Sequence, residues 1–189
     1  MLKKIITKFL LFFILCSYFS NLKAQVKDDI ILKIRETNTL KFNFIQISNG
    51  LTESGFCSLK RPHFLKCEYN SKNQKQLIVN KKKLVIFHKR YNKAYNYPLS
   101  KSFFTQILDK KAFEKIILNG DLNENNEKYI VNCNLEEKGF IDFYFNKQDL
   151  SLVGWDLISI NNNKLSFEIK DIIKNEIIEN KFFNLPEFN

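Results

Sequence analysis

Few side chains in these 189 residues could do covalent or acid–base work. The two histidines, His63 and His88, stand alone beside turn-type residues, and no GxSxG, HExxH or glycine-rich phosphate loop accompanies them. Five glycines leave little material for a loop that cradles phosphate. Of the four cysteines, none falls in a CxxC or Cys/His spacing that marks a metal site. The chain therefore reads as a non-enzymatic protein with no metal and no other cofactor. What stands out instead is a cation. In GFCSLKRPHFLKCEYN (55–70), strand alternation puts Arg61 on the same face as Leu59 and Leu65. A guanidinium does not usually sit among leucines unless something there needs its hydrogen bonds.

Centring a hairpin on Pro62 sets the pairing: Arg61 opposite His63, Leu59 opposite Leu65, Cys57 opposite Cys67, with Tyr69 on the same face. The other face carries Ser58, Lys60, Lys66 and Glu68 and reads as solvated, Phe56 and Phe64 excepted. Cysteines facing each other across two strands have Cβ atoms about 4.5–5.5 Å apart. That is slightly longer than the roughly 3.5–4.5 Å a disulfide prefers. Two readings stand side by side. One is a Cys57–Cys67 bond in an oxidising compartment, with Cys133 the odd thiol. The other is a pair of free thiols acting as small apolar residues.

The elements that must position these residues follow a leader. Residues 1–24 have a basic head (MLKKIITK), an apolar run (FLLFFILCSYFS), and Leu22 and Ala24 at the −3 and −1 positions of a cleavage site. The expectation is a signal peptide over 1–24 and a single domain over 25–189; the alternative is a retained N-terminal membrane helix. Cys16 follows Leu15 rather than a small residue, so it does not look like a lipid-attachment site. Removing the leader's four lysines lowers the net charge from +10 to about +6. The remaining basic residues are scattered, and the aromatics alternate into the core instead of lining a basic stripe, which argues against nucleic-acid binding.

The spacing of apolar residues predicts a short helix over 28–36, then a strand carrying Leu40, Phe42 and Phe44. Further strands are expected near 54–60, 64–70, 76–80, 83–88 and 93–98. A helix beginning at Ser100 and running to Leu108 groups Phe103, Phe104, Ile107 and Leu108 on one apolar side. Strands resume near 128–135, 139–146, 151–160 and 163–172, and the ending FFNLPEFN is irregular. A long antiparallel sheet with two short amphipathic helices needs those helices to cover its concave side.

Several segments, in order, resemble the periplasmic outer-membrane lipoprotein carrier proteins (LolA): FNFIQ (42–46), SLKRPHFLKCEYN (58–70), LIVNKKKLVIF (77–87), YNYPLS (95–100), LVGWDL (152–157) and NEIIENKFFNLP (175–186). The resemblance implies a mainly β fold with α, an incomplete antiparallel β-barrel (half-barrel) with a lid of short helices over an apolar cavity. It implies a soluble, monomeric periplasmic chaperone that shelters the acyl chains of lipoproteins between the inner and outer membranes. Its partners would be acylated lipoproteins as cargo, an inner-membrane lipoprotein-releasing transporter and an outer-membrane acceptor. Arg61 would be the lid gate. The cavity would be walled by Leu59, Leu65, Cys67 and Tyr69, by Leu77, Val79, Leu84 and Ile86, and by Phe103, Phe104, Ile107 and Leu108 from the lid.

The chain departs from the family pattern at three places. Cys67 stands where an aromatic is expected, Ser102-Phe103 replaces Thr-Pro, and Asn80-Lys81 stands where a glycine is common. Alternative readings are a lipid-anchored acceptor of the same fold, another exported hydrophobic-ligand-binding protein, an exported hydrolase, or an inner face that is simply core.

Overall fold

The computed structural model describes residues 23–185, apart from residue 82. The predicted leader lies outside these residues except for its last two, which open helix α1 (residues 23–36). This helix starts earlier than the predicted 28–36 and buries Ile30, Ile31 and Ile34. No helix among the described residues is long and apolar enough to cross a membrane.

Strand β1 (Thr39–Ser48) alternates as its sequence requires, with Phe42 and Phe44 buried and Asn43 between them exposed. It turns into β2 (Leu51–Lys60) through Asn49 (φ 49°) and Gly50 (φ 78°), a two-residue loop with both φ values positive. That is the turn whose twist matches a hairpin, and Asn-Gly is its preferred pair. Strand β3 (Phe64–Tyr69) pairs with β2 in the register read from the sequence, Leu59 with Leu65 and Cys57 with Cys67. The paired region ends at Lys60 and Phe64, so Arg61 stands in the turn itself, its backbone N–H donating to Asn38 O at 2.9 Å.

The meander continues through β4 (Lys75–Asn80), β5 (Lys83–His88) and β6 (Lys93–Pro98). It resumes with β7 (Asp121–Glu124), β8 (Lys128–Asn134), β9 (Phe140–Asn146), β10 (Leu152–Ile158) and β11 (Lys164–Lys174). All pair antiparallel in one eleven-stranded sheet ordered β6-β5-β4-β3-β2-β1-β11-β10-β9-β8-β7. Strands β6 and β7 are its two edges, so the sheet does not close into a barrel.

This order dictates where the lid goes. The segment from β6 to β7 joins opposite edges, so it must cross one whole face of the sheet. That segment is a 3₁₀ turn (Leu99–Lys101), α2 (Phe104–Leu108) and α3 (Lys110–Asn119). It covers the apolar face: Phe113 of α3 meets Phe143 of β9 with ring centroids 5.0 Å apart, and Phe103 meets Trp155 of β10 at 5.8 Å.

The single helix expected from Ser100 to Leu108 is thus broken. Ser102 is extended (φ −93°, ψ 154°), and its Oγ accepts from Phe104 N at 3.0 Å, opening α2. Asp109, also extended, caps α3 by accepting from Ala112 N at 2.8 Å. Short polar side chains that bond nearby backbone compete with helix and favour such boundaries. Helix α3 and strand β7 were not anticipated. Strand β7 has only Leu122 buried, too little pattern to announce itself.

The outer face is a second departure. The residues after β11 cross it, and a 3₁₀ turn (Asn180–Phe183) buries Phe183 completely, 5.3 Å from Phe64. Asn80 Nδ2 donates to Phe183 O at 3.0 Å and Lys60 Nζ to Ile178 O at 2.7 Å. Ile178 is buried, as are Ile78 and Val85, which pair across β4 and β5. Ser58, read as solvated, is 1% exposed. Phe64, one of two phenylalanines on that face, was the sequence signal for this cover; the other, Phe56, stays 39% exposed.

Candidate functional site

Between the sheet and the lid lies a cavity of about 240 Å³. Its floor comes from even positions of β1 (Leu40, Phe42), from β2 (Cys57, Leu59) and from β3 (Leu65, Cys67, Tyr69), with Leu77 and Ile86 beyond them. The far wall is Leu152 and Trp155 of β10 with Leu165, Phe167 and Ile169 of β11. Phe103, Phe104 and Ile107 form the ceiling. Strand alternation explains the composition, since residues two apart on every strand point to the same side.

Aromatic rings order the wall. Trp155 stacks on Phe167 at 4.2 Å and Phe167 on Phe44 at 4.9 Å, with near-parallel planes. In the ceiling Phe103 and Phe104 stack at 4.5 Å. Cys57 and Cys67 are joined by a disulfide that forms part of the floor. A smaller wall residue thus stands where the resemblance called for an aromatic.

Arg61 closes one end. Its Nη1 donates to Ile107 O of α2 at 2.9 Å, and its guanidinium lies 5.5 Å from the Phe113 ring centroid. Its Nε has no partner among the described residues. Burial lowers the guanidinium pKa to about 10, against the opposing pull of Asp109. It therefore stays protonated at neutral pH, and its charge is held by one carbonyl, a ring face and a nearby carboxylate.

The opposite end is polar. Tyr69 Oη donates to Gln46 Oε1 at 3.3 Å, Gln46 Nε2 donates to Glu53 Oε2 at 3.3 Å, and Lys75 Nζ pairs with Glu53 Oε1. Lys75 Nζ also lies 3.8 Å from the Tyr69 ring centroid. Burial, then Glu53, raises the Tyr69 pKa, so the hydroxyl stays a donor.

Nine of the wall and lid residues named from sequence line this cavity: Leu59, Leu65, Cys67, Tyr69, Leu77, Ile86, Phe103, Phe104 and Ile107. Val79, Leu84 and Leu108 do not; they are packed into the core, Val79 at 0% and Leu108 at 1% exposure. Val79 pairs with both Leu65 and Leu84, and of these three only Leu65 reaches the cavity. The β10 and β11 wall was missed. Its alternation (Leu165, Phe167, Ile169) was legible, but nothing in the sequence says that β11 lies beside β1.

Lys110 Nζ of α3 donates to Arg35 O of α1, and two further ties hold these helices together. Lys27 Nζ donates to Leu118 O at 3.0 Å and Gly120 O at 2.5 Å, and Arg35 Nη2 pairs with Glu114 Oε2 at 2.8 Å. The α2 segment is tied to the sheet side by Arg61 and by Lys138 Nζ, which donates to Ser102 O at 3.2 Å.

A family model described as "Outer membrane lipoprotein carrier protein LolA" matches residues 35–186. A protein of Francisella philomiragia named outer-membrane lipoprotein carrier protein is 26% identical over 185 residues, covering 78% of this chain and 86% of its own. Among solved structures, an uncharacterized conserved protein from Thermus thermophilus superposes with a TM-score of 0.54 at 10% identity, over 87% of this chain and 94% of its own. The Pseudomonas aeruginosa MucA/MucB complex gives 0.50 at 7% identity, over 86% of this chain and 61% of the other. At these identities the structures speak to the fold alone.

Proposed function

This chain belongs to the outer-membrane lipoprotein carrier protein LolA family, and from that premise we propose that it is a non-enzymatic periplasmic chaperone that shelters the acyl chains of lipoproteins on their way to the outer membrane. The observation that carries the reading is an apolar cavity roofed by a separate helical segment, to which the partly buried Arg61 donates a hydrogen bond from the sheet side. Moving acyl chains through water exposes about 0.8 kcal/mol per methylene, so even partial shelter is worth many kcal/mol. Phe, Leu and Ile side chains give non-directional attraction that also lets cargo leave.

At about 240 Å³ the space is smaller than the roughly 300–1,000 Å³ typical of ligand pockets. Acyl chains therefore enter by displacing the lid, and lid closure competes with cargo. Arg61 is the gate in this account: its bond to Ile107 O favours the closed lid and helps expel cargo to an outer-membrane acceptor, after loading at an inner-membrane releasing transporter. The mature chain begins at Gln25, which N-terminal sequencing of periplasmic protein checks. The reading is tested by purifying the protein from the periplasm and seeking co-purifying acylated lipoprotein by mass spectrometry. Its absence, together with turnover of a lipid ester, would favour an exported hydrolase instead.

A further inference from the structure

Trp155 has a buried indole N–H with no hydrogen-bond partner among the described residues, although the side chain is 4% exposed and lines the cavity. An unmet buried donor costs about 1–3 kcal/mol, so its presence in an otherwise apolar wall calls for an acceptor. Strand register puts one polar cavity residue in the same row as Trp155. Trp155 pairs with Phe167, and Phe167 pairs with Gln46, so the three stand in one row across β10, β11 and β1. Two strand spacings, about 10 Å, separate the backbones of Trp155 and Gln46.

The Gln46 end of that row is also a set of donors. Tyr69 donates to the amide oxygen of Gln46 and Glu53 accepts from the amide nitrogen, which fixes how the amide faces and leaves its second N–H free. Lys75 commits one N–H to Glu53 and sets its ammonium against the Tyr69 ring, which leaves one N–H for a further acceptor. Glu53 is not part of the lining, and it neutralises Lys75. The Gln46 end is thus rich in donors, and Glu53 balances the charge of Lys75 there. Uncharged carbonyl oxygens match it; a phosphate does not.

We propose that this row is a linkage subsite: Trp155 Nε1–H at one side and Gln46 with Lys75 at the other hold the ester and amide carbonyls of the acyl groups, while the hydrocarbon runs toward Arg61. The proposal rests on the lipid-sheltering reading above. It gives the cavity a direction. From Glu53 to Leu59 on β2 is six residues, about 20 Å of extended strand, so a chain anchored by its carbonyl at the Gln46 end reaches the Arg61 end with its tail.

The test uses two lipids that differ only in the carbonyls, dipalmitoylglycerol and its dihexadecyl ether, each displacing the hydrocarbon dye diphenylhexatriene from the purified protein. The expected result is that the wild type holds the diester roughly tenfold tighter than the diether. Trp155→Phe and Gln46→Leu each shrink that ratio, and together they bring it near one, whatever either change does to the affinity for hydrocarbon alone. Lys75→Met provides a further variant should either of these fail to fold. Equal affinity of the wild type for the two lipids, or variants that lose both alike, overturns the subsite and leaves the apolar cavity standing. Phosphatidylglycerol binding more than tenfold tighter than dipalmitoylglycerol also overturns it, because the site would then be anionic in preference. Failure of the wild type to take up diphenylhexatriene removes the lipid cavity itself, and the subsite with it.

Discussion

Arg61 bonds a lid carbonyl from a turn at the edge of an apolar floor. A hydrogen bond from a charged group is worth about 1.5–3 kcal/mol, so losing it shifts the closed-to-open ratio by roughly ten- to a hundredfold. Arg61→Leu should fold, accept lipoprotein and pass it on slowly; a wild-type rate of transfer from the isolated complex to acceptor would show that Arg61 is not the gate. The cysteines behave differently from one another. Burial pushes the Cys133 thiol up to about 12, with Asp142 adding to the shift and Lys27 opposing it. A group raised this far is protonated at pH 8, where the thiolate needed for alkylation is nearly absent. Iodoacetamide at pH 8 should therefore leave Cys133 untouched in the folded protein and label it after unfolding. The same non-reduced digest should yield a peptide linking Cys57 to Cys67; rapid labelling of three cysteines in the native state contradicts both expectations.

At the scale of elements, the lid depends on a single residue that both ends α2 and starts α3. Asp109 accepts from Ala112 N and lies in the field of Arg61. Asp109→Ala removes the cap and should cost about 1 kcal/mol. For a chain of this size that lowers the unfolding midpoint by about 2–4 °C. Asp109→Asn keeps a side-chain acceptor of equal capping strength while removing the charge. Thermal unfolding should place Asn near wild type and Ala below it; an equal drop for both would assign the effect to the charge facing Arg61. The hairpins were readable because alternation and Asn-Gly turns are local signals. Helix α3 was not, because its Phe113 and Ile117 spacing follows directly on α2 with only Asp109 as punctuation.

The whole molecule has two apolar faces, unequally covered. The concave one carries the cavity, and the outer one is sealed by the segment bearing Ile178 and Phe183. Phe183→Ala should destabilise the fold by about 3–5 kcal/mol, as for other buried Phe truncations. Because Phe183 packs on Phe64, on the side away from the cavity, binding of diphenylhexatriene below the unfolding transition should be unchanged. Denaturant unfolding with a dye titration in its native baseline checks both. Lost dye binding without lost stability would mean that the two faces are coupled.

By itself the sequence determined the strand alternation, the register of the 55–70 hairpin and the face on which Arg61 stands. These are local: side-chain direction repeats every two residues, and a tight turn fixes what it joins. Only the tertiary structure decided that β11 lies against β1, which brings Trp155, Phe167 and Ile169 to the cavity. It also decided that the β6–β7 connection crosses the concave face, and that the C-terminal residues cover Ser58 and Phe64 on the other. The first and last of these join residues more than a hundred positions apart, and the crossing joins residues tens of positions apart. Their free energy comes from burying whole faces together, and no short stretch of chain carries that information.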